Sequence, residues 1–303
     1  MLKAERVSKV YRIGAFGRKR LLALRDVTFG VEPGEVVSLI GESGSGKTTI
    51  GRTILRLSPV NGGAITFDGA DIAAFGRREL KAYYRQVQGV FQDPFSSYNP
   101  IFKADRVFTV IRHEFFPGVR GADWRRKISE SLEAVSLNPG DVLNRYPHQL
   151  SGGQLQRMLI ARALLLDIRF LVADEVISML DASTRIDVLN LLGSLKSRGL
   201  GILFITHDLS LGHYISEKTV ILRRGVVVEM GSTERIFGNP LHPYTTMLLA
   251  SVPQLHKKWD EVEAELRAPA GGNGGSRVER ADRDDEGDLV EAEPGHFVRA
   301  DAA

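Results

Sequence analysis

The sequence predicts an α/β fold in which helices cover a mostly parallel sheet. Three observations carry this. After Leu150, helical segments alternate with short apolar runs: a helix over 152–166, "RFLVAD" at 169–174, a helix over about 182–197, and "GILFIT" at 201–206. Apolar runs of that length between amphipathic helices read as strands buried on both faces. Earlier, the run "EVVSLI" at 35–40 leads through a glycine-rich turn directly into the helical segment "TTIGRTILRL". The first forty residues read as strands broken by turns, with Pro33-Gly34 separating "LLALRDVTFGV" at 21–31 from the run at 35–40.

The remaining elements follow in order. Residues from about 94 to 150 differ from their flanks. They hold Trp124, many charges and the helically spaced "WRRKISESLEAVSL" at 124–137, and read as a helical insertion. Two short strands are expected around 218–230, separated by "RRG" at 223–225. Past about residue 265 the chain loses its apolar residues. "APAGGNGGSRVERADRDDEGD" at 268–288 is glycine- and charge-rich, and a flexible linker or tail is expected there. No internal repeat is visible.

Composition narrows the function classes. At 303 residues and 43% hydrophobic, the chain has room for a large core. It holds no cysteine, which excludes disulfides, thiolate metal sites and cysteine catalysis. No apolar run reaches the ~18 residues of a membrane-spanning helix, and the charged start "MLKAERVSKVY" does not look like an export signal. The charge of +3 is spread along the chain rather than clustered, so no nucleic-acid partner is expected.

The chemistry is carried by a few motifs. "GESGSGKTT", Gly41 to Thr49, matches the phosphate-loop pattern G-x-x-x-x-G-K-[ST] at Gly41, Gly46, Lys47 and Thr48. It sits between a strand and a helix, the context that pattern requires. Its glycines let backbone N–H groups wrap an anion. Lys47 would bridge the β- and γ-phosphates of a nucleotide, and Thr48 would offer its hydroxyl to Mg²⁺. "FLVADE" delivers Asp174 and Glu175 at the end of a buried strand, where parallel sheets place ligands. Asp174 would hold Mg²⁺ through water, and Glu175 would act as general base towards an attacking water. His207, after the strand in "FITHD", would hydrogen-bond the γ-phosphate or orient the water. Gln92 in "VFQDP" carries little meaning by spacing alone.

"LSGGQLQR", Leu150 to Arg157, raises a separate question. Ser151 is a good N-cap, and the two glycines leave the first N–H groups of the following helix uncovered. That is a second anion-binding helix start in a chain that already has one.

Together these motifs resemble the nucleotide-binding subunit of ABC transporters. The phosphate loop, "VFQDP", "LSGGQLQR", "FLVADEVISMLD" and "FITHD" stand in that family's order over residues 1–235. The resemblance implies a P-loop ABC ATPase core of mixed and parallel sheet, with an antiparallel β subdomain and a helical subdomain over about 93–165. It implies that Tyr11 stacks on adenine and that Ser43, Gly44, Ser45 and Thr49 complete the phosphate loop. Gln92 becomes the residue touching Mg²⁺ and water, Asp181 an acid of the loop between the subunits, and His207 the switch histidine. Ser151, Gly152, Gly153 and Gln154 become the signature motif, facing the γ-phosphate held by a second, head-to-tail subunit. ATP and Mg²⁺ are the implied cofactors.

The tail "ERIFGNPLHPYTTMLLASVP" from Glu234, the run "SMLDAST" and the final "VEAEPGHFVR" at 290–299 resemble the dipeptide and oligopeptide importer group. On that resemblance 236–265 is a family extension, while composition reads 266–303 as a flexible tail. The implied function is an ATPase powering uptake of peptides or related solutes. Its implied partners are a second, different ATPase subunit, two transmembrane permeases and an extracytoplasmic binding protein, at the cytoplasmic face of the membrane. Oligosaccharide or nickel import is the alternative within the group. The chain departs from the pattern at Val176-Ile177, where Pro-Thr or Pro-Val is common, and at the cysteine-rich segment of some relatives, absent here, so an iron–sulfur cluster has no ligands. A soluble ABC ATPase of translation or DNA repair would carry two cassettes or a long coiled coil. A cassette that binds ATP without hydrolysing it is disfavoured by the intact Glu175 and His207.

Overall fold

The computed structural model describes residues 1–13, 19–251 and 287–300. The chain divides into two compact units, Met1–Ala74 with Leu203–Ala303, and Phe75–Ile202.

The first unit opens with two long strands, β1 (Leu2–Ile13) and β2 (Lys19–Val31). They pair antiparallel, Leu2 opposite Val31 and Ile13 opposite Lys19. Leu2, Ala4 and Val7 of β1 are buried while their neighbours face outward, the signature of a half-buried ribbon. Then come β3 (Val36–Ile40), α1 (Lys47–Ile54), β4 (Gly62–Phe67) and β5 (Ala70–Asp71). Strands β2, β1, β4 and β5 form, in that order, an antiparallel sheet. All five residues of β3 are buried, as the apolar run predicts.

The second unit holds α2 (Arg77–Gln86), β6 (Val87–Val90), α3 (Arg106–Phe115), α4 (Gly121–Glu133), α5 (Pro139–Val142), α6 (Gly152–Leu164), β7 (Phe170–Asp174) and α7 (Ala182–Lys196). Strands β6 and β7 run parallel, Val87 beside Phe170 and Val90 beside Ala173. The expected helical insertion is α3 to α5. Trp124 of α4 is buried there against Phe116, with ring centroids 5.3 Å apart.

Strand β8 (Gly201–Thr206) spans the boundary between the units, with all six residues buried. Returning to the first unit, the chain forms α8 (Leu209–Ile215), β9 (Lys218–Arg223), β10 (Val226–Ser232), α9 (Thr233–Gly238), α10 (Pro243–Ala250), β11 (Asp288–Glu293) and β12 (His296–Ala300). Strand β9 lies parallel to β3 and turns antiparallel into β10, through Arg224 and Gly225 at φ 44° and 84°. The order β11-β12-β10-β9-β3 is therefore a mixed sheet.

One expectation fails. Residues 288–300 lie within the stretch read as a flexible tail, yet they form the hairpin β11–β12, with β12 paired to β10 through Glu229–Val298 and Met230–Phe297. The cause is a buried anchor. His296 Nε2 meets the carboxylate of Glu229 at 2.8 Å, and both side chains are fully buried. Gly295, at φ 72°, makes the hairpin turn. Most of the glycine-rich stretch before it lies outside the described residues.

Candidate nucleotide site

In the first unit, the phosphate loop follows the last residue of β3. The fold requires glycine at two points. At Gly46 the backbone takes φ 107°, a region closed to side chains. At Gly41 an added Cβ would come 2.0 Å from the carbonyl oxygen of Leu222 on β9. Between them Ser43 and Gly44 are exposed, and Ser45 is buried.

The loop is built to receive an anion. Helix α1 starts at Lys47 with no side-chain cap and no acid in its first turn, so its leading N–H groups have no side chain competing for them. Ser45 Oγ is buried without a hydrogen-bond partner. Lys47 is buried too, and its Nζ donates to the carbonyls of Gly41 at 2.6 Å and Glu42 at 2.7 Å. The ammonium is thus folded over its own loop. Thr48 and Thr49 are half-buried in the first turn of α1. Tyr11 on β1 is half-buried, with Lys9 Nζ 5.1 Å from its ring centroid. His207 is exposed at the end of β8. Asp208 beside it caps α8 by accepting the N–H groups of Ser210 and Leu211.

In the second unit, Asp174 is buried at the end of β7. Glu175 follows, half-buried, at φ 49°, a left-handed conformation uncommon outside glycine. Its carbonyl accepts the N–H and hydroxyl of Ser178, which closes the turn. The loop then ends on Asp181, whose carboxylate caps α7. It accepts the Ser183 hydroxyl at 2.6 Å, the Thr184 N–H at 3.0 Å and the Thr184 hydroxyl at 2.9 Å. Those bonds, the Ser183 hydroxyl first, hold the Asp181 carboxyl far below the usual carboxylate range.

The same unit holds the signature stretch. Ser151 and Gln154 form a reciprocal capping box. Ser151 Oγ accepts the Gln154 N–H at 3.2 Å, and Gln154 Oε1 accepts the Ser151 N–H at 2.9 Å. The Ser151 hydroxyl uses one lone pair in that cap, and its proton can still point outward. Gly152 has little around it, whereas a Cβ on Gly153 would meet the Thr184 methyl at 2.7 Å. Gln92 is exposed, just after β6. The sequence reading missed Arg185. Its guanidinium donates to the carbonyls of Leu180 at 2.8 Å and Ser178 at 3.3 Å, bracing the loop that begins at Glu175. The signal available was an arginine four residues beyond the Asp181 cap.

A family profile described as "ABC transporter" matches residues 24–178, a span that begins within β2, takes in the phosphate loop and ends just beyond Asp174 and Glu175. The chain belongs to the ABC transporter family. A second profile, "Oligopeptide/dipeptide transporter, C-terminal region", matches residues 228–275 of this cassette. A putative peptide import ATP-binding protein of Brucella ovis is 45% identical over 77% of the chain and 73% of its own length. The oligopeptide transport ATP-binding protein OppF of Streptococcus pyogenes is 42% identical over 78% of each chain. Among solved structures, the cassette superposes on the dimeric ATP-binding cassette MJ0796 bound to ADP and Pi. The TM-score is 0.69, with 29% identity over 77% of this chain and 99% of that one. CbiO1 of Clostridium perfringens, at 21% identity and TM-score 0.67, shares the fold.

Proposed function

We propose that this cassette is the ATP-hydrolysing subunit of an importer for peptides. The observation that carries the reading is the phosphate loop itself. Its buried, orphaned Ser45 hydroxyl, uncapped α1 start and folded-back Lys47 fit a bound triphosphate. The peptide assignment rests on the oligopeptide/dipeptide C-terminal region and on the names of the relatives.

In the proposed cycle, ATP is held by Gly41, Ser43 to Thr49 and the Tyr11 ring. Lys47 exchanges its two carbonyl partners for phosphate oxygens. Thr48, Gln92 and Asp174 are the proposed Mg²⁺ ligands; a hydroxyl, an amide and a carboxylate are oxygen donors of the kind that ion takes beside phosphate and water. The metal supplies charge neutralisation on the phosphates. Glu175 accepts a proton from the attacking water, which His207 and Gln92 orient. Ser151, Gly152, Gly153 and Gln154 face the nucleotide of a second ATPase subunit, a different paralogue, with Asp181 in the loop between the two. ATP then favours the closed pair because only that pair makes both sets of contacts.

No helix among the described residues is long and apolar enough to cross a membrane. On the likeness to peptide importers, the proposed partners are two permeases that carry the spans and an extracytoplasmic binding protein that selects the solute. The cassette sits at the cytoplasmic face. The test is uptake of a labelled peptide into vesicles holding the permeases and both ATPases. Uptake should require ATP and be abolished by Lys47→Ala. ATP-driven uptake of nickel or an oligosaccharide in place of peptide would refute the solute.

A further inference from the structure

The turn His242-Pro243-Tyr244 opens α10, in the C-terminal extension and far along the chain from the nucleotide motifs. It is tied down from several sides. Glu229, fully buried on β10, accepts the N–H of Leu241 at 2.8 Å and of His242 at 3.0 Å. Its Oε1 also meets His296 Nε2 on β12. His242 Nδ1 accepts the Tyr244 N–H at 3.1 Å. The Tyr244 ring lies in a buried apolar cluster with Ile40, Ile221, Val228 and Ile236, and the Arg223 guanidinium stands 4.8 Å from its centroid. With its body fixed in this way, the phenol points its hydroxyl at the start of the phosphate loop. There it accepts the backbone N–H of Glu42 at 3.2 Å.

That N–H belongs to the peptide unit joining Gly41 and Glu42. The carbonyl of the same unit, Gly41 O, accepts Lys47 Nζ. One peptide plane is therefore held on both edges, by the lysine ammonium and by the tyrosine hydroxyl. When Lys47 leaves for a phosphate, the carbonyl edge is released. The Tyr244 bond is then what keeps the plane from rotating, because turning it would break the hydrogen bond that holds its N–H edge. The geometry points to Tyr244 as a positioning residue of the nucleotide site. Its hydroxyl holds the first peptide of the phosphate loop in its binding shape, so the C-terminal extension sets nucleotide affinity from beneath the loop. Losing that restraint lowers the fraction of loops competent to bind, and the apparent Kd rises by the same factor.

This inference rests on the ATPase reading, and Tyr244→Phe in the full chain tests it, since the ring and its packing are retained. The expected result is an ATP Kd about two- to tenfold higher, the span of one hydrogen bond. KM for ATP should rise with it while kcat is kept, a split that a general loss of folded protein would not produce. Equal ATP affinity in Y244F and wild type would overturn the role. A second measurement needs no variant. Amide hydrogen exchange at Glu42 in the nucleotide-free wild-type chain should be protected, and exchange at the unprotected rate would overturn the bond. A wild-type chain that shows this protection but binds no ATP would instead refute the ATPase reading.

Discussion

Gly41→Ala is the most demanding test of how the phosphate loop is built. The added methyl would stand 2.0 Å from the Leu222 carbonyl oxygen and 2.8 Å from Ser45 Oγ. An ordinary carbon–oxygen contact is about 3.3 Å, so the backbone must give by roughly 1.3 Å. The Leu222 carbonyl cannot retreat cheaply. It belongs to β9, which is paired to β3 through Ile40 and Ile221 and to β10 through Val227. The loop is the softer side and must move. Overpacking of this kind destabilises by about 1–3 kcal/mol. The larger effect falls on the reaction, because a displacement near 1 Å at a positioning element lowers the rate by about 10²-fold. The assay is steady-state ATP hydrolysis, with thermal unfolding measured in parallel. Gly193→Ala is the matched control. Gly193 lies within α7 with nothing within 4 Å of an added Cβ. That change should stabilise by roughly 0.5–1 kcal/mol through helix propensity and leave hydrolysis alone. Wild-type turnover in Gly41→Ala would refute the close-approach argument.

Other perturbations separate the remaining roles. Glu175→Gln keeps the side-chain shape and should lower ATP turnover by about 10²–10⁴-fold while equilibrium ATP binding is retained; normal turnover would remove Glu175 as the base. Asp181 is a depressed carboxylate, so its cap stabilises the fold fully above its unfolded pKa of about 3.9. That contribution is lost only as pH falls through the lower native value. The acid-unfolding curve of Asp181→Asn should therefore approach that of the wild type as pH falls below about 4; parallel curves to the lowest pH would contradict the assignment. Arg185→Ala should loosen the turn after Glu175, read as faster amide exchange at Ser178 and Leu180 and a lower kcat.

Legibility in the sequence followed interaction range. The phosphate loop was readable because its glycines answer to local demands, a positive φ at Gly46 and a close approach at Gly41. Strands β3, β7 and β8 were readable as short, largely apolar runs, and the Ser151 cap because its partner, Gln154, stands three residues away. The hairpin β11–β12 was not. Its strands are short, β11 is largely exposed and acidic, and what fixes them is Glu229, 67 residues back from His296. Tyr244 carries no local signal of its role, since the atom it serves lies 202 residues away. Arg185 fell between these cases, close in sequence but recognisable only once the loop it braces has a shape.

The folded-back Lys47 also bears on how the cassette lets go of its product. Its ammonium has two carbonyl partners within its own loop. Those carbonyls compete with phosphate for the same proton donors, and they return to it each time a nucleotide departs. A bare buried ammonium would hold any phosphate, spent or fresh, because nothing else could satisfy it. Here a departing diphosphate would leave behind a lysine that is not stranded. Removing the competitors by reshaping the loop would tighten ADP and ATP alike, and would slow the release of both.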